Sequence, residues 1–517
     1  MRGFGFPLFA IAVVVLIVLF VPRAELSAQT RGWSEPIIIS QTPNRSWFPD
    51  IAVDSLGNIH VIWCETTDVD PGSSTVQVEM EQVFYTVWNG QEWSDLNDIV
   101  PPDPDIIRNA IAVDRSGVLH LTFRHSNAAG AAALYHMQAT GSSAWSAAAW
   151  SSPHIVNIRG NSYASDLAID NQGTIHLIFD DQGDPESEVC PNCADIFYRR
   201  SEDNGQTWSA AINLSQSPTG SSRSQIELDN AGVIHVTWDE GWDRLTGQGE
   251  PISGTYTFSM DAGETWAPPL SIAYPITETA QLTPASDGRG GVMLAWRTVP
   301  SQTLYYQWSP DAGTTWSEPA TIPGILARPW VHEFDMYDMA ADSAGHIHLV
   351  VVGSDDISND PLRSDAPLGV YDLEWDGSSW LPPEKIFEQE GLYPEYPKVV
   401  VSEGNRLNVV WFTRDDPWLG EIYQVWFSSG RSMAPWQAPL PTFTPTPSPT
   451  PQPPPQPTPT ATPLFDADTL QQPSSGRLDA RDLYTDSDDI VQLVIALSPL
   501  ALVTAGILLL RRRGFRR

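Results

Sequence analysis

The chain has 517 residues, and its 63 Asp and Glu against 28 Lys and Arg give a formal net charge of -35. This balance argues against nucleic-acid binding, because the phosphate backbone would repel the protein. Hydrophobic residues make up 41% of the chain and 21 residues are Trp, so global disorder is excluded. Three Cys exclude a disulfide framework, since at most one pair can close.

The first element in chain order, residues 1–28, is a predicted signal peptide. Arg2 precedes 14 uninterrupted apolar residues, 8–21, and the small residue Ala28 stands where a signal peptidase would cut. Leu26 is an imperfect residue at the minus-three position, so an uncleaved N-terminal anchor stays open as the alternative. Either way the segment predicts export of the repeats that come after it.

Residues 29–437 repeat one unit seven times. Each copy alternates apolar residues with others, pauses at Asp-x-x-Gly and alternates again, which is typical of a tight antiparallel hairpin. The copies span 51–63, 111–123, 167–179, 226–238, 283–296, 339–351 and 399–411. Their turn residues are Asp54, Asp114, Asp170, Asp229, Asp287, Asp342 and Ser402, spaced by 55 to 60 residues. Such a period predicts stacked or radial repeats.

A second motif in each unit, Ser-x-Asp-x-Gly-x-x-Trp, predicts a second tight turn. Its Asp carboxylate can accept backbone N–H bonds, its Gly permits the bend and its Trp covers the hairpin. The full matches are Ser201, Asp203, Gly205 and Trp208; Ser259, Asp261, Gly263 and Trp266; and Ser309, Asp311, Gly313 and Trp316. Degenerate copies end at Trp93, Trp145, Trp380 and Trp436.

Four short strands per unit and seven units predict an all-β fold, a single seven-bladed propeller of four-stranded antiparallel blades. Residues 33–40 begin with Trp-Ser-Glu-Pro, as the outer strand at 316–319 does, yet no other strand of their unit precedes them. We therefore expect this segment to supply the outermost strand of the seventh blade. The segment at Trp436 competes for that place.

After the propeller the composition changes three times. Residues 438–463 are rich in Pro and Thr and predict an extended stalk, and residues 464–489 form an acidic linker with too few apolar residues to fold alone. Residues 490–510 carry no charge and are long enough to cross a bilayer as a helix, and residues 511–517 form a basic tail. The positive-inside rule then predicts a single-pass cell-surface protein with a cytoplasmic tail and an exported propeller.

The repeated motif resembles the Asp boxes of the sialidase superfamily, also described as BNR repeat proteins, over residues 33–437. The resemblance implies a propeller whose Asp boxes lie on the face opposite the active site. Sialidases have six blades, an arginine triad that binds the substrate carboxylate, a Tyr nucleophile with a Glu partner and an Asp acid/base. Their first arginine lies in an Arg-Ile-Pro motif, which this sequence lacks, and seven units stand here in place of six.

Five Trp remain once the repeats are explained, and we place all five in or beside the loops of the predicted ligand face. They are Trp47, Trp150, Trp242, Trp330 and Trp418. Flat aromatic faces stack on sugars, and we take Trp47, Trp242, Trp330 and Trp418 as candidate ligand-binding residues. The alternative is that large loops use Trp as packing plugs.

Charged residues concentrate at the ends of the second strands, where the same loops begin. They are Arg124, Asp180, Asp181, Asp239, Glu240, Arg297, Arg414, Asp415 and Asp416. Arg124, Arg297 and Arg414 are suited to an anionic sugar, and Asp180 or Asp239 to acid catalysis. Asp181 and Glu240 are taken as ligand-binding candidates, and solvated loop charge is the alternative for each.

The loop at 179–198 is the most unusual insertion. The acidic residues within 180–188 offer hard oxygen ligands suited to Ca²⁺, the one cofactor we consider, although an acidic solvated loop is the alternative. Cys190 and Cys193 are expected to form a disulfide after export, and Cys64 to stay free. Five His repeat at one strand position, 60, 120, 176, 235 and 348, which predicts packing or hydrogen bonding rather than a metal site.

No complete catalytic constellation can be assembled from these residues. We therefore expect a monomeric binding module that recognises an extracellular glycan or glycoprotein through its loop face. An exo-acting glycoside hydrolase similar to sialidases is the first alternative, and a scaffold that binds only proteins is the second.

Overall fold

A computed structural model describes residues 32–438, except 70–77, 105, 127–131, 158–160, 184–192, 244–248, 276–277, 299–300, 329–336, 357–366 and 417–419. The chain divides into two compact units, Met1–Thr446 and Pro447–Arg517. All described residues belong to the first unit. The predicted signal peptide, stalk beyond residue 438, acidic linker, membrane span and basic tail lie outside them.

The described residues form seven antiparallel sheets, the blades. In blades 1 to 5 the strands lie in chain order from the first to the fourth. Blade 1 contains Arg45–Val53, Ile59–Val69, Val78–Trp88 and Asn97–Asp103. Blade 2 contains Asn109–Val113, Val118–Ser126, Ala132–Thr140 and His154–Asn157, with a short 3-10 helix at Ala147–Ala149. Blade 3 contains Ser165–Ile169, Ile175–Gln182, Ala194–Ser201 and Ile212–Asn213. Blade 4 contains Gly220–Leu228, Ile234–Gly241, Ser253–Ser259 and Leu270–Ile272.

The remaining strands complete three further blades. Blade 5 contains Thr279–Ser286, Val292–Thr298, Leu304–Ser309 and Ala320–Thr321. Blade 6 contains Tyr337–Ala341, Ile347–Ser354, Gly369–Trp375 and Glu384–Glu388, and Leu326–Ala327 also pairs with its second strand. Blade 7 contains Tyr393–Ser402, Arg406–Arg414 and Tyr423–Arg431 from the end of the propeller, and Ile37–Ile38 from its beginning.

The ring closes where the first described strand pairs with the last. Ile37 lies opposite Phe427 and Ile38 opposite Trp426, so the predicted role of residues 33–40 is confirmed. The first strands of neighbouring blades also contact one another in an unbroken cycle from blade 1 to blade 7 and back. They therefore surround a central channel, and the prediction of a seven-bladed propeller is confirmed.

The two ends of the channel open on different faces of the ring. One face, which we call the turn face, carries the Asp-x-x-Gly turns and the Asp boxes. The other, the loop face, carries the connections from the second to the third strand of each blade and from each blade to the next. On the turn face the channel opens into a cavity of about 710 Å³.

The repeated His residues belong to a buried group within the blades, which we call the relay. It consists of the turn Asp, the His of the second strand and a Tyr of the third strand. In blade 4, His235 Nδ1 lies 2.8 Å from the Tyr256 hydroxyl and its Nε2 lies 3.9 Å from the turn residue Asp229. The pattern recurs in blades 1 and 3. In blades 1, 3 and 4 these His residues therefore have a structural role, since each hydrogen-bonds to a tyrosine of the third strand and lies beside the turn carboxylate.

Each complete Asp box packs on the relay of the preceding blade. In the box of blade 5, Asp311 Oδ1 accepts hydrogen bonds from the Ser309 hydroxyl and the Thr315 amide. Trp316 then meets Tyr256 of blade 4 edge to face, with ring centroids 5.2 Å apart. The boxes therefore hold adjacent blades together and have no catalytic geometry.

Blade 6 departs from this relay because an acid replaces the tyrosine. His348 is buried with Nδ1 3.2 Å from Asp372 and Nε2 3.4 Å from Asp342. Burial lowers the pKa of His348, but the charge of Asp372 and hydrogen bonds to both carboxylates outweigh it and raise the pKa to about 9. His348 is therefore a buried cation at neutral pH.

We expect His348 to make the propeller sensitive to alkali. Because its folded pKa lies above the unfolded value, its contribution is complete below pH 6.5 and is lost as pH rises through about 9. That contribution is on the order of 3 kcal/mol. Urea unfolding between pH 6 and pH 10 checks this, and the excess loss should disappear in His348→Gln. An equal slope in both proteins would contradict it.

Two Trp do not lie where the sequence placed them. Trp150 follows the 3-10 helix between the third and fourth strands of blade 2, and its indole donates to the Ala144 carbonyl in the core. Its assignment to a ligand-face loop was wrong, since the chain crosses the turn face there. Trp436 does not close blade 7, because Trp33 packs against Gly430 beside the N-terminal strand and Trp436 is 58% exposed.

Candidate arginine site at the loop end of the channel

The first strands reach the loop face through a repeated backbone irregularity. Five non-glycine residues with positive φ stand six positions before the turn residue of their units: Phe48, Arg108, Arg223, Gln281 and Tyr396. In blades 1, 4, 5 and 7 the strand pairing shifts register at this point. Such bulges re-aim a side chain, and they bring residues from separate blades to the end of the channel.

Arg108 occupies the centre of this aromatic and cationic cluster. Its guanidinium carbon lies 4.0 Å from the ring centroid of Phe48, 5.3 Å from that of Tyr396 and 5.5 Å from that of Tyr163. Arg124 lies 5.8 Å from the same Tyr163 ring. Contacts of this kind stabilise a cation against burial, so the cluster holds positive charge at the axis.

A second cationic group lies in blades 5 to 7. Glu395 is fully buried, and its Oε1 accepts hydrogen bonds from Arg328 and from Arg414. Two guanidinium groups therefore share one carboxylate.

Arg297 adds an incompletely satisfied guanidinium to this group. It is only 1% exposed, and its Nη2 donates to the carbonyls of Arg328 at 2.8 Å and Ser301 at 3.2 Å. Among the described residues, Nε and Nη1 have no hydrogen-bond partner. Burial lowers the pKa of Arg297 to about 10, so it stays charged at neutral pH. Unpaired buried N–H donors are costly, and each of these two groups can donate to an oxygen from outside the chain.

Asp239 and Arg223 form the remaining ion pair of the site. Arg223 Nη1 lies 3.2 Å from Asp239 Oδ2, and its guanidinium carbon lies 5.6 Å from the Trp242 ring. Asp239 also accepts the backbone amides of Gln281 at 2.7 Å and Leu282 at 3.1 Å. Burial raises the pKa of Asp239, although these partners oppose the shift.

The site keeps a positive balance on an acidic protein. Four arginines, Arg223, Arg297, Arg328 and Arg414, face two carboxylates, Asp239 and Glu395. A cavity of about 40 Å³ at the channel axis lies beside Arg223. Its lining also includes Arg108, Tyr396 and Lys398, together with the carboxylates of Asp50 and Asp166. A water molecule occupies roughly 30 Å³, so the bulk of any ligand would lie outside this cavity, toward the loops.

Below the arginines, Lys398 faces carboxylates of three other blades. Asp50, Asp166 and Asp338 each accept the amide of the next blade's first strand: Ile111 at 2.8 Å, Ile226 at 3.1 Å and Val399 at 2.9 Å. Burial lowers the pKa of Lys398, but the charges of Asp338, Tyr396, Asp50 and Asp166 raise it well above its usual value. Lys398 therefore acts as the counter-charge of the channel.

Some of the predicted charged residues lie together in the arginine site, and others accept hydrogen bonds from nearby loop residues. Arg297, Arg414 and Asp239 join the arginine site, and Arg124 borders it. Asp180 accepts the amides of Tyr163 at 3.1 Å and Ala164 at 2.7 Å.

Two further predicted carboxylates are bound by their own loops. Asp181 accepts hydrogen bonds from the amides of Asn161 and Gln182 and from the Ser162 hydroxyl. Glu240 accepts from the Trp238 indole at 2.6 Å and from the hydroxyls of Ser217, Thr219 and Ser221. Both groups shape the rim of the site through these contacts.

The predicted aromatic residues are only partly described. Trp47 is half-buried, stacks on Phe48 with ring centroids 4.6 Å apart and donates to Glu81 Oε2 at 3.2 Å. Trp242 is half-buried beside Arg223. Trp330 and Trp418 lie outside the described residues, so their predicted role remains a prediction.

The residues of the metal and cysteine predictions also lie partly outside the described residues. Most of the 180–188 loop lies outside the described residues, and calcium binding there remains a prediction. Within the described ranges, no group of three or more His, Cys, Asp or Glu is placed to hold a metal ion. Cys193 is disulfide-bonded and Cys64 is a buried free thiol, whereas Cys190 falls in the undescribed segment 184–192. No helix in the described part of the chain has the length and apolarity to span a membrane.

Four residues of the site were missed at the sequence level: Arg108, Arg223, Arg328 and Glu395. A usable signal existed for two of them. Arg108 and Arg223 stand six positions before Asp114 and Asp229, in register with Phe48, Gln281 and Tyr396. No periodic pattern marks Arg328 or Glu395, which lie 67 positions apart in the chain.

A family model described as a BNR repeat-like domain matches residues 146–409, about half of the 517 residues. The chain belongs to the BNR repeat-like domain family. The predicted relationship to Asp-box repeat proteins is thereby confirmed at the level of the family. No curated protein matches the chain.

Several solved structures are distantly similar to this chain. The Hadza microbial sialidase Hz136 is 15% identical with a TM-score of 0.43, over 72% of this chain and 77% of that one. A protein of unknown function from Dyadobacter fermentans is 12% identical with a TM-score of 0.45, over 77% and 99%. The NanB sialidase from Streptococcus pneumoniae is 14% identical with a TM-score of 0.42, over 78% and 70%. Similarity at this level says nothing about ligand or activity.

Proposed function

We propose that this BNR repeat-like propeller is a cell-surface binding module that holds an extracellular glycan or glycoprotein by a carboxylate group. The group enters the arginine site at the loop end of the channel. The observation that carries the proposal is Arg297, whose buried Nε and Nη1 have no acceptor among the described residues. A carboxylate oxygen can accept from either of these N–H groups, whereas Nη2, which would complete a bidentate pair with either, already donates to two carbonyls.

The charge of the surroundings supports an anionic ligand. The chain as a whole is acidic, so an anion gains nothing from most of its surface. Arg328 and Arg414 already share Glu395, and Arg297 adds a further cation beside the Arg328 carbonyl. The rim carries Trp242 next to Arg223, which offers an aromatic face to a sugar ring.

Removing the unpaired donors of Arg297 is expected to abolish most of the binding. A hydrogen-bonded charge contributes about 1.5–3 kcal/mol, so Arg297→Ala should weaken binding of a carboxylate-bearing glycan by roughly 10- to 100-fold. Its unfolding free energy should fall by about 1–3 kcal/mol, because the carbonyls of Arg328 and Ser301 lose their donor. Calorimetric titration of the full chain with N-acetylneuraminic acid and sialyllactose measures the first effect, and urea unfolding the second.

The matched control for Arg297 is Arg115→Ala, an exposed arginine of the turn face. It should bind as the parent protein does. Equal loss in both variants would contradict a specific site. If no acidic or neutral glycan binds the parent protein, the glycan premise gives way to the protein-scaffold alternative.

Hydrolysis is the second candidate function, and the observation that favours it is Asp239. A general acid needs a raised pKa, and burial raises the pKa of Asp239 inside the arginine site. Its two carboxylate oxygens are engaged by the amides of Gln281 and Leu282, and we therefore rank binding first.

A fluorogenic sialoside distinguishes hydrolysis from binding alone. If the protein is a hydrolase, the full chain releases the fluorophore and Asp239→Asn lowers kcat by about 100-fold or more, within the range of general acid catalysis. Binding alone predicts no release above the rate of the Asp239→Asn variant. Asp203→Asn, an Asp-box change on the turn face, serves as the control.

A further inference from the structure

Glu227 is a carboxyl group that neither the repeat nor the arginine site explains. It stands two positions before the turn residue Asp229, on the first strand of blade 4. The other six blades have only Ala or Val at the equivalent position: Ala52, Ala112, Ala168, Ala285, Ala340 and Val400. The packing that the blades share therefore does not require a glutamate there.

Glu227 lies in the wall of the cavity of about 710 Å³ at the turn-face end of the channel. Aliphatic residues of neighbouring first strands line the same cavity, among them Val53, Val113, Met339 and Val400. Small-molecule sites in proteins typically enclose about 300–1,000 Å³ and combine apolar walls with a few polar groups. The cavity thus has the size and the walls of a ligand site, with one carboxyl group inside its mouth.

The chain supplies no counter-charge to Glu227. The carboxyl group accepts the backbone amide of Ser286 in blade 5, and within the described part of the chain no cationic side chain pairs with it. Burial, together with the charges of Asp338, Asp166 and Asp229, raises the pKa of Glu227 to about 8. An ammonium group from outside the chain would stabilise the ionised form.

The mouth of this cavity also carries an excess of carboxylates. Besides Glu227, the charged residues among its described lining are Asp54, Asp114, Asp287, Asp342, Glu403, Arg115 and Arg289. Asp342 pairs with the buried His348, and Glu403 lies 3.6 Å from Arg431. The three remaining carboxylates still outnumber the two arginines, so negative charge extends from the mouth inward to Glu227.

We propose that this cavity binds a linear aliphatic polyamine. One terminal ammonium group lies against Glu227, the methylene chain packs on the aliphatic walls, and a second ammonium group lies among the carboxylates of the mouth. Glu227 and the turn residues are two positions apart along a strand, or about 7 Å, which a short methylene chain spans. The site is independent of the proposed function, since the arginines lie at the other end of the channel.

Calorimetric titration of the full chain with spermidine at pH 8.5 tests the site. An ionic strength of about 0.15 M screens attraction to exposed carboxylates. Glu227→Gln keeps the shape of the side chain and its acceptor for the Ser286 amide, and Glu227→Ala restores the residue of five other blades. Both variants should bind spermidine at least tenfold more weakly than the parent protein. Asp203→Asn removes a turn-face carboxylate outside the cavity lining and should bind within twofold of the parent.

Two results would overturn the proposal. Equal spermidine binding by the parent protein and both Glu227 variants would assign the polyamine to the acidic surface. Nα-acetyl-lysine methylamide carries a single ammonium group and should bind at least tenfold more weakly than spermidine, so equal affinity would assign the cavity to a lysine side chain. Arg297→Ala should leave spermidine binding within twofold of the parent protein, so that failure of this site and failure of the arginine site are measured separately.

Discussion

Gly313→Ala is expected to destabilise the propeller by about 3 kcal/mol. Gly313 has φ +87, where an L side chain costs about 1–2 kcal/mol. A Cβ at this position would also overlap the Tyr256 hydroxyl of the preceding blade, well inside the 3.0 Å that real Cβ contacts respect. Overpacking of this kind adds about 1–3 kcal/mol. Tyr256 cannot move away freely, because it is buried and shares a hydrogen bond with His235.

Gly232→Ala isolates the steric part of that effect. Gly232 has nearly the same φ, +84, but nothing lies within 4 Å of its Cβ position. We expect a loss of about 1 kcal/mol there, from backbone strain alone. Urea unfolding of both variants measures the difference. Equal losses would show that the Asp-box glycine serves only its own turn and does not join blades 4 and 5.

Lys398→Met is expected to cost about 2–4 kcal/mol at pH 7.5. The change removes the counter-charge of Asp50, Asp166 and Asp338, and removal of one partner from a buried charge group typically costs about 3–5 kcal/mol. Lys398 is half-buried along the channel, so solvent reduces the effect below the upper end of that range. The three carboxylates also bind the neighbouring strands, and repulsion among them loosens three contacts between blades.

The loss in Lys398→Met should depend on pH. Burial already raises the pKa of Asp50 to about 7 with Lys398 in place, and without the lysine we expect a further rise. A carboxylate with a raised folded pKa destabilises the protein as pH increases from the unfolded value near 4 through the folded value. The variant should therefore approach the parent protein in stability near pH 5 and differ most above pH 7. Unfolding across this range measures the effect.

Lys385→Met is the matched control for the channel lysine. Lys385 is 44% exposed at its side chain and pairs with Glu388 at 2.7 Å on the outer strand of blade 6. An exposed ion pair typically contributes about 0–1 kcal/mol to stability. The unfolding free energy of this variant should therefore stay close to that of the parent protein at every pH. A loss as large as that of Lys398→Met would assign the effect to lysine removal in general.

The blades were predictable because the turns of each blade are specified by residues that lie close together in the sequence. Asp-x-x-Gly and the Asp box close turns through their own side chains and glycines, so their spacing alone gives the count of seven. Closure by residues 33–40 was predictable for a related reason. Their Trp-Ser-Glu-Pro start copies a fourth strand that the last repeat lacks.

The arginine site was predictable only in part. Arg297, Arg414 and Asp239 follow second strands, and the propeller brings strand ends to one face, so their convergence follows from the repeat. Arg223 reaches the site through a bulge, and Arg108 directly precedes the first strand of its blade. Both take a positive φ, which their residue types do not predict.

The sequence by itself determined the repeat and the number of blades, because the turns depend on interactions between residues a few positions apart. It also identified the closing strand, because residues 33–40 copy the start of a fourth strand. Only the tertiary structure decided which charges meet. Glu395 joins Arg328 and Arg414 across 67 and 19 positions of the chain, and Lys398 faces aspartates of blades 1, 3 and 6. Such contacts form because seven blades turn their first strands toward one axis, and ring closure, which no single repeat encodes, sets the distances between them.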